Sequence, residues 1–377
     1  MLLLVPGVSQ AQATVQGSIM SGGLRREYRL YVPAAYSPAK AVPLLFNLHG
    51  YGSNNVEQEA YGDFRPIADT ANFLIVHPNG TLDGNGSRAW NTFLPPGTGV
   101  DDVAFLSALI DHLKLTYTID TDRIYSTGMS NGGFMSYELA CQLSGRITAV
   151  ASVTGSMAQS RRAVCTPQHP TPIMEIHGTA DATVPYNGNA FFLSIPAVLS
   201  YWVQFNGCAP TPVVTQVPNT NTTDGSTAER SVWANGRNGS VVEHYRIIGG
   251  GHTWPGSAFT IGVTNRDISA SREIWRFLRP YRLSRLATPL TASAPAEAAG
   301  VNSYPNPFTS QLILRAGTSR QPGRVTVVDA RGRKMPVLLQ AAADGTLRIS
   351  TATWPAGVYL LRTEVNGRAY SQKLLKH

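Results

Sequence analysis

Between residues 27 and 280, apolar residues follow two alternating patterns. Short continuous runs, Val42-Pro43-Leu44-Leu45-Phe46-Asn47-Leu48, Phe73-Leu74-Ile75-Val76 and Ile147-Thr148-Ala149-Val150, have almost no polar face and predict strands covered on both sides. Between them apolar residues recur at helical spacing. Val103, Leu106, Ile110 and Leu113 do so behind Asp101-Asp102, an acidic pair suited to a helix N-terminus. A strand-helix-strand rhythm of this kind predicts an α/β domain with a mostly parallel sheet.

The pattern changes near residue 286. Residues 286–300 are rich in Ala, Pro and Thr with little to bury, and predict a linker. Beyond it, Gln311-Leu312-Ile313-Leu314-Arg315, Arg324-Val325-Thr326-Val327-Val328-Asp329 and Gly357-Val358-Tyr359-Leu360-Leu361-Arg362 are short strand-like runs separated by Gly, Pro and Asp turns. They predict a small all-β sandwich over 301–377. At the other end, Met1-Leu2-Leu3-Leu4-Val5-Pro6 followed by Ala11-Gln12-Ala13 reads as a shortened signal peptide over 1–13, leaving one large domain over 14–285.

Composition adjusts this picture in two places. The net charge is +8, but residues 281–377 hold 13 Lys/Arg against 4 Asp/Glu, so the long first domain is nearly neutral. No basic track for nucleic acid is expected, and no run approaches the length that spans a membrane. The three cysteines, Cys141, Cys165 and Cys208, suit an exported protein with one disulfide. Cys165 and Cys208 lie in loop-like sequence and are the expected pair. Cys141, beside Leu139 and Leu143 on a predicted helix, reads as a core residue.

The chemistry concentrates in Gly128-Met129-Ser130-Asn131-Gly132-Gly133, between a strand-like Arg123–Thr127 and a helical Phe134–Ala140. Glycines on both sides of a serine suit a sharp strand-to-helix turn that presents its oxygen at a helix N-terminus. A serine hydroxyl needs a base and an orienting carboxylate to become nucleophilic. His252, in Gly249-Gly250-Gly251-His252-Thr253-Trp254 after the strand-like Glu243–Ile248, is the candidate base; His177 and His244 read as structural. Asp181, beyond the strand-like Ile173–His177, is the candidate acid. Asp224 and Glu229 lie in Thr/Asn/Gly-rich sequence, and Glu175 would point sideways within its strand. Backbone amides of Asn131 and Tyr51 are the expected oxyanion donors, with His49 shaping the Leu48–Gly52 loop. His49 and Trp254 are further candidates for substrate contact. The Cys/His spacing offers no metal set, and the chemistry needs no cofactor.

Leu48-His49-Gly50-Tyr51-Gly52, Trp90-Asn91, Gly99-Val100-Asp101-Asp102, the Ser130 motif, His177-Gly178-Thr179-Ala180-Asp181 and Gly251-His252-Thr253-Trp254-Pro255-Gly256 together resemble the extracellular polyhydroxybutyrate depolymerase and feruloyl esterase group. The resemblance implies an α/β-hydrolase fold and the same Ser130, Asp181, His252 triad. It also implies a polymeric ester substrate: feruloyl or acetyl esters of plant polysaccharide, or a polyester. A serine peptidase on the same fold and a non-catalytic adhesion protein are the alternatives. Tyr304-Pro305-Asn306-Pro307-Phe308, Val328–Arg333 and the basic end Gln372–Lys376 resemble the sorting domain of type IX secretion. That implies the secretion machinery as a partner and an extracellular or cell-surface location reached through the periplasm; a β-sandwich that binds an insoluble polymer and stays attached is the competing reading.

Overall fold

The two-sided apolar runs become the middle of one ten-stranded sheet. This computed structural model describes residues 12–287 except 96, and 301–377 except 317–324, 331, 343–345 and 366–367. Its strands are β1 (Ala13–Ser21), β2 (Leu24–Val32), β3 (Val42–Leu48), β4 (Leu74–Pro78), β5 (Thr81–Leu82), β6 (Arg88–Ala89), β7 (Ile119–Met129), β8 (Ala149–Val153), β9 (Ile173–Gly178), β10 (Val213–Gln216), β11 (Thr227–Trp233) and β12 (Val242–Ile248). The sheet order is β1-β2-β4-β3-β7-β8-β9-β12-β11-β10. From β4 to β12 every pairing is parallel, and antiparallel strands close both edges.

Why these segments are strands is visible in their burial. Every residue of β3, β4 and β8 is buried, and successive side chains alternate between two apolar layers. Leu44, Phe46 and Leu48 enter one layer and Leu45 the other. Helices α3 (Asp102–Lys114), α4 (Asn131–Gln142) and α6 (Ile195–Asn206) cover the first layer through residues such as Phe105, Leu109, Tyr137 and Trp202. Helices α2 (Arg65–Ala71) and α7 (Ala270–Leu278) cover the second through Ala68, Ile274 and Phe277. Burial of each large apolar side chain stabilises by about 1.5–3 kcal/mol before entropy is counted. The predicted α3 forms, with Asp101 accepting from the Ala104 amide at 2.8 Å as its cap.

The chain divides into two compact units, Met1–Pro289 and Leu290–His377. In the second, β13 (Val301–Tyr304), β14 (Gln311–Ala316), β16 (Leu339–Ala341) and β17 (Leu347–Ser350) form one sheet, and β15 (Thr326–Asp329), β18 (Gly357–Val365) and β19 (Arg368–Lys376) another. Leu312, Leu314 and Ile349 of the first meet Val327, Tyr359, Leu361 and Leu374 of the second in one core, as a sandwich requires. The expected signal peptide lies outside the described residues except for Gln12 and Ala13, and so does the expected linker except for Leu286 and Ala287. Leu286 itself belongs with the first unit. It ends a short helix, is buried, and its carbonyl accepts from Asn238 Nδ2 at 2.7 Å.

Candidate active site

β7 ends at Met129 and α4 begins at Asn131, so one residue, Ser130, makes the whole turn. Its backbone is held at φ 55° and ψ −120°, a conformation that a non-glycine residue adopts only under constraint. The constraint is close packing of backbone on backbone. A Cβ at Gly132 would lie 2.2 Å from the Leu48 carbonyl oxygen, and one at Gly128 would lie 2.6 Å from the backbone of Gly132. Only glycine lets the end of β3, the end of β7 and the first turn of α4 meet here. The Ser130 amide is tied to the Val153 carbonyl at 2.8 Å. Asn131 stands at the first helical position, where amide hydrogens have no partner within the helix.

Asp181 and His252 come from the loops after β9 and β12, adjacent parallel strands. These loops also touch through backbone: a Cβ at Gly178 would lie 2.2 Å from the Gly250 carbonyl oxygen, and the Ala180 amide donates to that oxygen at 2.9 Å. The contact sets His252 Nδ1 2.7 Å from Asp181 Oδ2. Asp181 Oδ1 accepts from the Thr183 and Val184 amides, both at 2.8 Å. Burial pushes this carboxyl upward, but the hydrogen bond and charge of His252 and the Val184 amide outweigh it and hold Asp181 below the ordinary value.

Ser130 sits at the seam of two cavities. One, of about 780 Å³, is lined by Ser130, His252, Met129, Tyr61, Phe259 and Ile261. The other, of about 580 Å³, includes Ser130, Asn131, Phe93, Phe134, Val184 and Phe192. Tyr51 borders both, is half exposed, and donates its hydroxyl to Asp83 at 2.7 Å. A Cβ at Gly50 would lie 3.4 Å from the Ser130 Cβ, so the chain there runs close beside the serine. His49 is fully buried beneath it, with Nδ1 2.7 Å from the Gly50 carbonyl and Nε2 accepting from the Gly80 amide at 2.9 Å. Because Nε2 accepts, the ring hydrogen is on Nδ1, and burial holds the imidazole neutral by lowering it to about 4.

Three expectations need correction. Trp254 and His49 do not line either cavity. The Trp254 indole is buried edge-on against Phe64, with its N–H donated to Ser271, so it is core. The disulfide joins Cys141 to Cys165, and Cys208 is free. The C-terminal end of α4 brings Cys141 to a Cα separation of 4.6 Å from Cys165, whereas Cys208 follows the end of α6 and packs against Gly236 and Ser240. A cysteine among leucines on a helix gives no sign of facing a loop.

Some of the site escaped the sequence reading. The Asn131 side chain accepts from the Trp90 amide at 2.7 Å and donates to Thr92 at 2.8 Å, tying the cavity wall to the start of α4. Asp102 accepts from the Asn91 amide at 2.8 Å and pairs with the buried Arg26 at 2.6 Å, so two motifs noted in the sequence are anchors of that wall. The aromatic cluster of Phe93, Phe134 and Phe192 had no sequence signal, because its members are far apart in the chain.

Residues 99–193 match the phospholipase/carboxylesterase family, and residues 302–377 match the secretion system C-terminal sorting domain. Feruloyl esterase C of Emericella nidulans is 31% identical over 216 residues, covering 55% of this chain and 71% of that protein. The chain belongs to the α/β-hydrolase esterase family of feruloyl esterase C. The chain spans less than half the length of two further relatives. A bifunctional acetylxylan esterase/xylanase of Neocallimastix patriciarum is 29% identical over 76% of this chain but 37% of its own length. Feruloyl esterase B of Piromyces equi is 30% identical over 58% of this chain and 41% of its length. The esterase domain is followed here by a sorting domain, which marks the chain for secretion.

Proposed function

We propose that this chain is a secreted serine esterase in which Ser130, Asp181 and His252 cleave carboxylic esters borne by a polymer. The observation that carries the reading is the short His252–Asp181 hydrogen bond on a loop that shares a cavity with the strained Ser130 turn. His252 takes the Ser130 proton as the oxygen attacks the ester carbonyl, and Asp181 holds the imidazole tautomer and stabilises its charged form. The amides of Asn131 and Tyr51 receive the developing oxyanion. His252 then gives its proton to the departing alcohol, and water releases the acyl group by the same path.

The leaving alcohol has to depart beside the residue that protonates it. The cavity containing His252 therefore receives the alcohol, and the cavity containing Asn131 and lacking His252 receives the acyl group. The acyl side is walled by Phe93, Phe134, Phe192 and Val184, which suits a flat aromatic acyl group such as a feruloyl unit better than a small hydroxybutyryl unit. The names of the feruloyl esterase relatives point the same way. The sorting domain is proposed to engage the secretion machinery after passage through the periplasm.

The test is hydrolysis of methyl ferulate, a nitrophenyl acetate and a polyhydroxybutyrate suspension by the full chain, with Ser130→Ala alongside. Ser130-dependent ferulate release exceeding that from the acetate, with the polyester intact, is expected. Unchanged turnover in Ser130→Ala overturns the triad, and clearing of the polyester overturns the acyl assignment.

A further inference from the structure

Behind the Asp181–His252 pair, a second carboxylate–imidazole pair lies wholly inside the protein. Glu175 and His177 stand two apart on β9, share one face of the sheet, and are both fully buried. His177 Nδ1 is 2.9 Å from Glu175 Oε1. Its Nε2 is 2.8 Å from the Val184 carbonyl and 3.4 Å from Asp181 Oδ2. From α4, the Tyr137 hydroxyl donates to Glu175 Oε2 at 2.8 Å. From β12, His244 Nδ1 lies 2.9 Å from the Glu175 main-chain oxygen and its Nε2 3.0 Å from the Tyr186 hydroxyl, with Arg246 on the face of Tyr186. The titratable groups facing the pair are therefore Tyr137, Asp181, Tyr186 and His244, with the Ser152 hydroxyl also beside Glu175 and with Arg246 and His252 one contact further away.

Counting protons decides the state of this array. The Val184 carbonyl only accepts, so Nε2 carries a hydrogen. Nδ1 faces a carboxyl group, and the remaining proton belongs to the two together. Tyr137 donating to Glu175 favours the carboxylate, and the Asp181 anion favours a cation on His177. Burial alone would pull the His177 imidazole down, but Glu175, the Val184 carbonyl and Asp181 hold it above the ordinary histidine value. Burial raises the Glu175 carboxyl as well, so the pair keeps its proton.

We propose that Glu175 and protonated His177 are positioning residues that act through Asp181 on the base His252. This rests on the triad reading above. His177 anchors the Val184 carbonyl and with it the turn whose amides grip Asp181 Oδ1. It also sets positive charge against Asp181 Oδ2, the oxygen that accepts from His252. That charge stands opposite any second positive charge on the His252 imidazole, across the same carboxylate oxygen. A pair serving packing alone would hold the turn without moving the titration of the base.

The test uses the full chain in two ways. Proton-detected nitrogen NMR of the wild type at pH 7.5 should show both ring N–H signals for His177; one N–H overturns the proposal. In Glu175→Gln, the near-isosteric amide can still meet Tyr137 and His177 but no longer supports an imidazolium. The acid limb of kcat/KM should then move to higher pH by on the order of one unit, with KM nearly unchanged. A folded variant whose limb coincides with the wild type overturns the proposal, and if the variant does not fold the NMR result decides alone. Failure of the triad reading is distinct: it appears as turnover surviving in Ser130→Ala, and it leaves the His177 signals untouched.

Discussion

His49 sets the direction of a peptide group, and replacing it separates that role from its contribution to stability. Its Nδ1–H holds the Gly50 carbonyl, and in a trans peptide the N–H of the next residue points the opposite way. Holding Gly50 O on the His49 side thus points the Tyr51 amide away from His49. Removing the ring in His49→Ala leaves the Gly80 amide without its partner, at a cost of about 1–3 kcal/mol, while the Gly50 carbonyl keeps only the Ser53 amide at 3.2 Å. With the void left by the imidazole, a loss of about 3–5 kcal/mol in urea unfolding is expected. If Tyr51 is an oxyanion donor, its misdirection lowers kcat by about 10²-fold with KM little changed. Asn and Gln divide the effect, because the Asn amide nitrogen reaches roughly where Nδ1 was and the Gln side chain reaches where Nε2 was. His49→Asn should retain more turnover, and His49→Gln should retain the Gly80 bond without orienting Gly50. Equal kcat in these two variants, or His49→Ala within about twofold of wild type, would refute the reasoning, since the first effect asked of the residue is worth about 10².

Acid should unfold the protein early. Burial holds His49 and His77 at about 4 and His244 at about 3, so these groups refuse protons that the unfolded chain accepts near 6.5, and their stabilisation is lost as pH falls through that window. Glu138, raised to about 7 by burial, works in the opposite sense. His177, held high, contributes fully throughout the window and loses its contribution only as pH rises. The net uptake of roughly two protons predicts a loss of about 3 kcal/mol per pH unit below 6.5, read from urea midpoints at pH 7 and pH 5. Reducing Cys141–Cys165, which are 24 residues apart, should cost about 3 kcal/mol, and thiol labelling of the unfolded, unreduced chain should find one reactive group, Cys208. Asp102→Ala leaves the buried Arg26 guanidinium unpaired and should cost about 3–5 kcal/mol, together with looser binding on the acyl side as Asn91 loses its anchor.

The sheet and the elbow were legible because both are written in local pattern. Runs such as Leu44–Leu48 carry no polar face, and a serine between glycines needs only its flanking strand and helix to be interpreted. What was not legible depends on contacts between distant segments. Cys141 was hidden because its partner lies across a helix end, and Trp254 misled because an aromatic beside a catalytic-type histidine looks the same whether it faces a groove or Phe64. Glu175 did leave a trace. An acid inside an apolar strand, two residues before a histidine, puts both on one buried face, where each is the other's available partner.

The glycine contacts around Ser130 divide the molecule into a part that cannot drift and a part that can. Where backbone presses on backbone at Gly128, Gly132 and Gly178, no side chain transmits a neighbour's change, so the spacing of Ser130, Asp181 and His252 is insulated from substitutions elsewhere. Phe93, Phe192, Phe259 and Ile261, which line the two cavities, stand outside the named strands and helices and away from these glycine contacts. Preference for one ester over another can therefore be rewritten at Phe93, Phe192, Phe259 or Ile261 while the reacting machinery keeps its tolerances, as interchangeable jaws fit a fixed vice.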